Sequence, residues 1–144
     1  MEELQEKSLS RKSVRSEITQ LHTSFDELDP ELKLAIDCAL EKKALDLTAL
    51  DLREIASFTE FFVIASGTNQ RQVQAIADEI SEQLKKKFGL RALRIEGYSK
   101  AEWVLLDYGD FILHIFDKNA REFYDLERLW RDARRVEMPT QLQA

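Results

Sequence analysis

WVLLDYGDFILHIFDKNAREFYDLERLW, residues Trp103 to Trp130, is the stretch whose reading decides the fold. Gly109-Asp110 between Tyr108 and Phe111 is a two-residue loop with glycine first, the type II′ pattern that suits the twist of paired strands. With Tyr108 opposite Phe111, Asp107 falls opposite Ile112, Leu105 opposite His114 and Trp103 opposite Phe116. Alternation then sorts the side chains. One face carries Val104, Leu106, Tyr108, Phe111, Leu113 and Ile115. The other carries Trp103, Leu105, Asp107, Ile112, His114 and Phe116. An antiparallel hairpin normally leaves one face polar toward water. Here both faces are apolar, so the first is expected to pack on helices. The second needs a cover, either the chain's own helices or a partner.

Working outward, Asn119 or Asp117 is expected to cap a final helical region over about 120–136. That helix would bury Phe123, Leu126, Leu129, Trp130 and Ala133, with Glu127–Arg131 as an ion pair one turn apart. Upstream, the spacing of Val73, Ile76, Ala77, Ile80, Leu84 and Phe88 predicts a helix over 70–88, capped by Thr68 or Asn69 and stopped at Gly89. EFFVIAS, from Glu60 to Ser66, reads as a strand buried on both sides. Strands are also expected around 47–51, where Leu47 and Ala49 alternate with Thr48, and over 93–96. Asp29-Pro30-Glu31 starts a helix that buries Leu32, Ala35, Ile36, Ala39 and Leu40 and ends near Lys42-Lys43. The order helix, strand, strand, helix, strand, hairpin, helix implies an α/β or α+β domain with a mixed sheet of about five strands flanked by helices. The division expected is a flexible polar extension at 1–28, the domain at 29–137, and a polar tail at 138–144.

Composition narrows the function. The chain has 144 residues, 44% hydrophobic and 33% charged, as in a soluble globular domain. No apolar run approaches the roughly 20 residues of a membrane span. The first twenty residues lack the apolar core of a secretory signal and carry several acids, so a cytoplasmic protein is expected. The single cysteine, Cys38, reads as a buried structural thiol. A formal net charge of -6 suits a basic protein partner better than nucleic acid, whose binding rests on neutralising phosphates. Lys85-Lys86-Lys87 closes a helix, where cations favour the dipole.

No catalytic set emerges. Asp107 and Asp110 are three apart and Asp110 lies inside the turn, so they do not converge on one metal ion as nucleotidyl transfer requires. Ser66-Gly67-Thr68-Asn69 sits between a strand and a helix, where an anion could rest, but it lacks the P-loop lysine and the GxGxxG spacing. His22 lies in the polar extension and His114 in a strand with no second ligand at metal spacing. No catalytic residue, cofactor or metal is expected.

FTEFFVIASGTNQRQVQAIADEI, GYSKAEWVLLDYGDFILHIF and AREFYDLERLW together resemble the ribosomal silencing factor family, also called Iojap or RsfS, from about residue 32 to 130. The resemblance implies a nucleotidyltransferase-like fold without the catalytic acids. It also implies binding to ribosomal protein number fourteen of the large ribosomal subunit, which blocks joining with the small subunit and represses translation. From it, Trp103 and Val104 are carried over as partner contacts, with Asp107, Tyr108 and Asp110 beside them; Glu102 is added on charge. Alternation sets Trp103 and Val104 on opposite faces, so both could meet one partner only at the strand's edge, near the loop 97–100. The alternatives are a nucleotidyltransferase-like enzyme or nucleotide-binding protein, and an oligomeric scaffold. A homodimer through the apolar hairpin face is compatible with either the silencing or the scaffold reading.

Overall fold

The computed structural model describes residues 22–139. The elements run β1 (His22–Ser24), a 3-10 turn (Phe25–Glu27), α1 (Pro30–Glu41), β2 (Leu45–Asp51), β3 (Phe61–Gly67) and α2 (Gln70–Phe88). They continue through β4 (Arg94–Glu96), β5 (Trp103–Asp107), β6 (Phe111–Asp117), α3 (Lys118–Tyr124), α4 (Leu126–Leu129) and β7 (Arg134–Glu137). One mixed sheet holds all seven strands in the order β1-β7-β2-β3-β6-β5-β4. β3 and β6 pair in parallel at its centre, and β1 pairs with β7 in parallel at one edge. The other neighbours are antiparallel.

The mixed α/β class is as expected, and the hairpin register is the one the turn implied. Trp103 faces Phe116, Leu105 faces His114 and Asp107 faces Ile112. Gly109 turns the chain at φ 90, a value natural for glycine and strained for residues with a Cβ. The first face of the hairpin packs on α1 and α2. Val104, Leu106, Leu113 and Ile115 join Ile36, Ala39, Val73, Ile76, Ile80 and Leu84 in the larger core. α2 has the expected ends: Asn69 Oδ1 accepts the Gln72 N–H at 2.9 Å, and Gly89 is a left-handed C-cap. Phe88, expected in the apolar stripe of α2, is 44% exposed at the last turn. β3 is buried along its whole length, as a central strand covered on both faces must be. α1 begins at Pro30, but Asp29 makes no side-chain capping bond.

Three expectations need correction. The sheet has seven strands rather than about five, because β1 and β7 add an edge. His22 to Leu28 therefore belong to the domain and not to the extension expected at 1–28. Thr23 is buried and its hydroxyl donates to Asp51, and Leu28 enters the larger core. Residues 1–21 and 140–144 lie outside the described residues. Third, the single helix expected over 120–136 is broken. α3 ends at Asp125, which adopts the left-handed conformation at φ 46. A short α4 follows, and Arg134–Glu137 is a strand. The break shifts the helical phase, so Phe123 and Leu129 point outward instead of into the core, and Glu127 pairs with Arg121 rather than Arg131. Asp125 can adopt this conformation because a short polar side chain tolerates it better than most.

Candidate partner-binding surface

The second face of the hairpin is covered over β6 and left partly open over β5. Leu50, Leu52, Phe62, Ile64, Ile112, Phe116 and Leu126 form a smaller core there, with Trp130, Ala120 and Ala133 packed on it. The chain's own C-terminal segment thus supplies most of the cover. On β5 burial alternates: Val104 and Leu106 are buried, whereas Trp103, Leu105 and Asp107 are half-buried. Trp103 lies where the cover runs out.

The Trp103 ring is held on three sides. It lies 4.9 Å from Phe116 and 4.8 Å from Tyr124, centroid to centroid. Its indole N–H donates to His114 Nδ1 at 3.0 Å. The preceding loop fixes the backbone. A Cβ on Gly97 (φ 78) would fall 2.0 Å from the Trp103 carbonyl oxygen, so only glycine permits this approach. Tyr98 anchors the same loop to α2, its hydroxyl donating to Asp78 at 2.9 Å. Beyond Trp103 the aromatic surface continues outward. Tyr124 is 51% exposed and Phe123 80% exposed, and their rings meet edge to face at 4.9 Å. Glu102, Asp117, Asn119 and Ala120 line a shallow cleft with these two. Glu102 is exposed, and Asp117 caps α3 by accepting the Ala120 N–H at 2.8 Å.

Of the residues expected at the site, Trp103 and Glu102 therefore come together beside Tyr124. Val104 is 0% exposed and Tyr108 is buried, both in the helix-facing core. Neither offers an exposed side chain to a partner. Burial pushes the Tyr108 hydroxyl's pKa above its ordinary value. Asp107 shares the Trp103 face but lies four residues along the strand, roughly 13 Å away. Its Oδ1 accepts the Gly109 N–H at 2.8 Å and its Oδ2 meets Arg94 at 3.3 Å. Turn and cross-strand bonds thus account for a carboxylate among apolar neighbours. Asp110 is exposed at the turn, and its carbonyl accepts from the N–H groups of Glu60 and Phe61 at the start of β3. Two residues of the surface, Phe123 and Tyr124, were not picked out in the sequence. Helical spacing assigned Phe123 to the core, and only the aspartate that follows hinted at a break.

The remaining candidate chemistry is accounted for locally. At the start of α2, the Thr68 N–H donates to Gln72 Oε1 at 2.7 Å and the Gln72 N–H to Asn69, so these donors are not offered to an anion. Arg121 donates to Ser66 Oγ at 2.9 Å and pairs with Glu127. Among the described residues no three His, Cys, Asp or Glu side chains are grouped to hold a metal ion. No described helix is long and apolar enough to cross a membrane. His22 pairs with Glu137 across β1 and β7 at 3.2 Å. The Cys38 thiol is buried, and burial pushes its pKa up to about 11, which makes it a poor nucleophile.

Comparison with known proteins agrees with the sequence resemblance. Residues 26–144 match the family model described as ribosomal silencing factor during starvation, RsfS. A ribosomal silencing factor RsfS of Halalkalibacterium halodurans is 42% identical over 107 residues, covering 74% of this chain and 91% of that one. A crystal structure of a Chromobacterium violaceum protein superposes with a TM-score of 0.68 at 33% identity, covering 76% of this chain and 87% of the other. A more distant relative, at 26% identity, is the mouse protein named mitochondrial assembly of ribosomal large subunit protein 1. That match covers 69% of this chain and 45% of the mouse protein.

Proposed function

The chain belongs to the ribosomal silencing factor family, and we propose that it binds the large ribosomal subunit through ribosomal protein number fourteen and so blocks joining with the small subunit. Translation is repressed by steric exclusion, with no reaction, cofactor or metal. The subunit partner follows the sequence resemblance, and the name of the mouse relative points the same way. The protein acts in the cytoplasm with the ribosomes, by protein contact and with little direct binding to nucleic acid.

The observation that carries the reading is the aromatic surface running from half-buried Trp103 through Tyr124 to Phe123, with Glu102 at its edge. Soluble proteins seldom expose such large rings side by side without a use. Tryptophan and tyrosine are frequent anchors in interfaces because they bury much area with little side-chain freedom to lose. Carboxylates beside them favour a basic partner and discourage acidic ones. In this reading Trp103, Tyr124, Phe123 and Glu102 make the central contact, and Asp107 and Asp110 extend it along the hairpin. Val104 and Tyr108 support the strand from beneath. A homodimer through the same face competes with the ribosome, because it covers Trp103.

The test is capture of purified ribosomal protein fourteen by the wild-type chain and by Trp103→Glu. Capture by the wild type and its loss in a folded Trp103→Glu variant support the reading. Equal capture by both places the contact elsewhere.

A further inference from the structure

Resting on that reading, we propose that His114 is the positioning residue of the surface: its Nδ1 holds the Trp103 indole in the orientation presented to the partner. An indole N–H can only donate. The bond to Nδ1 at 3.0 Å therefore makes Nδ1 the unprotonated ring nitrogen and puts the imidazole proton on Nε2. The two residues sit on neighbouring strands of the hairpin, His114 opposite Leu105 and Trp103 opposite Phe116, so the bond runs diagonally across the sheet face.

His114 cannot turn easily to serve another group. It is 4% exposed, lies edge-on to Phe62 at 4.5 Å, and stacks over Phe116 at 6.4 Å with 16° between the rings. Its Nε2 has no hydrogen-bond partner among the described residues. A buried donor left unpaired costs free energy, and the buried apolar residues packed in this layer are Leu, Ile and Phe. Stability alone would therefore favour an apolar ring or chain at this position. What histidine adds over phenylalanine is one acceptor, aimed at the half-buried Trp103 ring where the surface opens. Trp103 is otherwise restrained only by ring contacts, and the Tyr124 ring that flanks it is itself half exposed.

The experiment follows the Trp103 indole N–H by 15N-resolved NMR and the affinity for large ribosomal subunits, in wild type, His114→Phe, His114→Asn and His114→Gln. The Asn side-chain oxygen falls near the position of Nδ1, and the Gln oxygen near Nε2. His114→Phe and His114→Gln should each exchange the Trp103 indole proton about tenfold faster in the folded protein and bind large subunits about tenfold more weakly, the scale of one lost hydrogen bond. His114→Asn should restore both. Unchanged exchange in His114→Phe, or the same behaviour from Asn and Gln, overturns the proposal. Should His114→Phe not fold, the Asn and Gln pair decides it. If the wild type binds no large subunits, the functional reading fails, and the exchange rates of the free protein still decide whether His114 fixes the indole.

Discussion

Acidification should destabilise this domain through His114 before its carboxylates protonate. Burial pushes the imidazole pKa down from 6.5 to about 4. The folded chain therefore excludes a proton that the unfolded chain accepts near pH 6.5. Between pH 6.5 and 4 the unfolded state binds more protons, so stability is full above 6.5 and falls as pH drops through this window. The difference is about 2.5 pH units, and at 1.36 kcal/mol per unit this is about 3 kcal/mol. A domain of this size has roughly 5–15 kcal/mol in total, so the loss is a large share. With a urea dependence of about 1–3 kcal/mol per molar, the midpoint should fall by about 1–3 M between pH 7 and 4. Other groups contribute and must be separated. Burial alone would raise the Asp51 pKa, but bonds from Arg53 and Thr23 outweigh it and hold it below the usual range. Asp51 therefore costs stability only as pH falls below about 4. Asp37 is raised, by burial and then by Glu41, and works with the opposite sign as pH rises above its ordinary value. Both act equally in His114→Asn, so the difference between wild type and variant isolates the imidazole. Urea unfolding by circular dichroism at pH 7, 6, 5 and 4 measures it. Parallel pH profiles for the two proteins would refute the account of a neutral, desolvated His114.

The other predictions concern the surface and its supports. Trp103→Ala should keep the fold, since Phe116 and Leu105 still close the smaller core, while large-subunit binding weakens by about 2 kcal/mol, or roughly 30-fold. An unfolded variant would make Trp103 a core residue and defeat the site assignment. Phe123→Ser, at a position 80% exposed, should change stability by less than about 0.5 kcal/mol and still weaken binding; unaltered affinity in a titration removes Phe123 from the surface. Gly97→Ala should cost about 1–3 kcal/mol because of the 2.0 Å approach to the Trp103 carbonyl, read as a melting temperature several degrees lower. No change in melting would mean that the loop does not set the backbone of Trp103. Arg53→Met should cost about 2 kcal/mol, because the Asp51 carboxylate beside it is 4% exposed and loses its charged donors at 2.9 and 2.7 Å. A chemical denaturation midpoint within error of wild type would count against that pairing.

The parts of the fold that could be read from the residues were those whose signals are local. α2 carries its whole description in order: Asn69 as cap, an apolar stripe, and Gly89 as stop. The hairpin register followed from two turn residues and the period of two. β1 and β7 were unreadable for the opposite reason. They are three and four residues long, rich in charged and polar side chains, and pair with each other across more than a hundred residues. Their support is the long-range bond from Thr23 to Asp51 and the packing of Val136. The C-terminal segment misled because its apolar spacing fits a helix. One residue at positive φ, Asp125, breaks the phase and turns Phe123 and Leu129 outward. The site divides the same way. Trp103 enters through the family resemblance, and the apolar second face of the hairpin is consistent with it. Alternation alone buries Val104, and the structure buries both Val104 and Tyr108. The diagonal from Trp103 to His114 is implicit in the register, but two polar atoms aligned at 3.0 Å depend on rotamers set by Phe62, Phe116 and Tyr124.

The central claim is that this protein occupies the large subunit and keeps the small one away. Sucrose-gradient sedimentation of the purified chain with large subunits, with small subunits, and with both tests it most directly. The account predicts migration with the large subunit alone and fewer joined ribosomes when the chain is added before mixing, with Trp103→Ala less effective at equal concentration. A chain that stays at the top of the gradient at low and moderate salt, or that sediments with large subunits while joined ribosomes form undiminished, contradicts it.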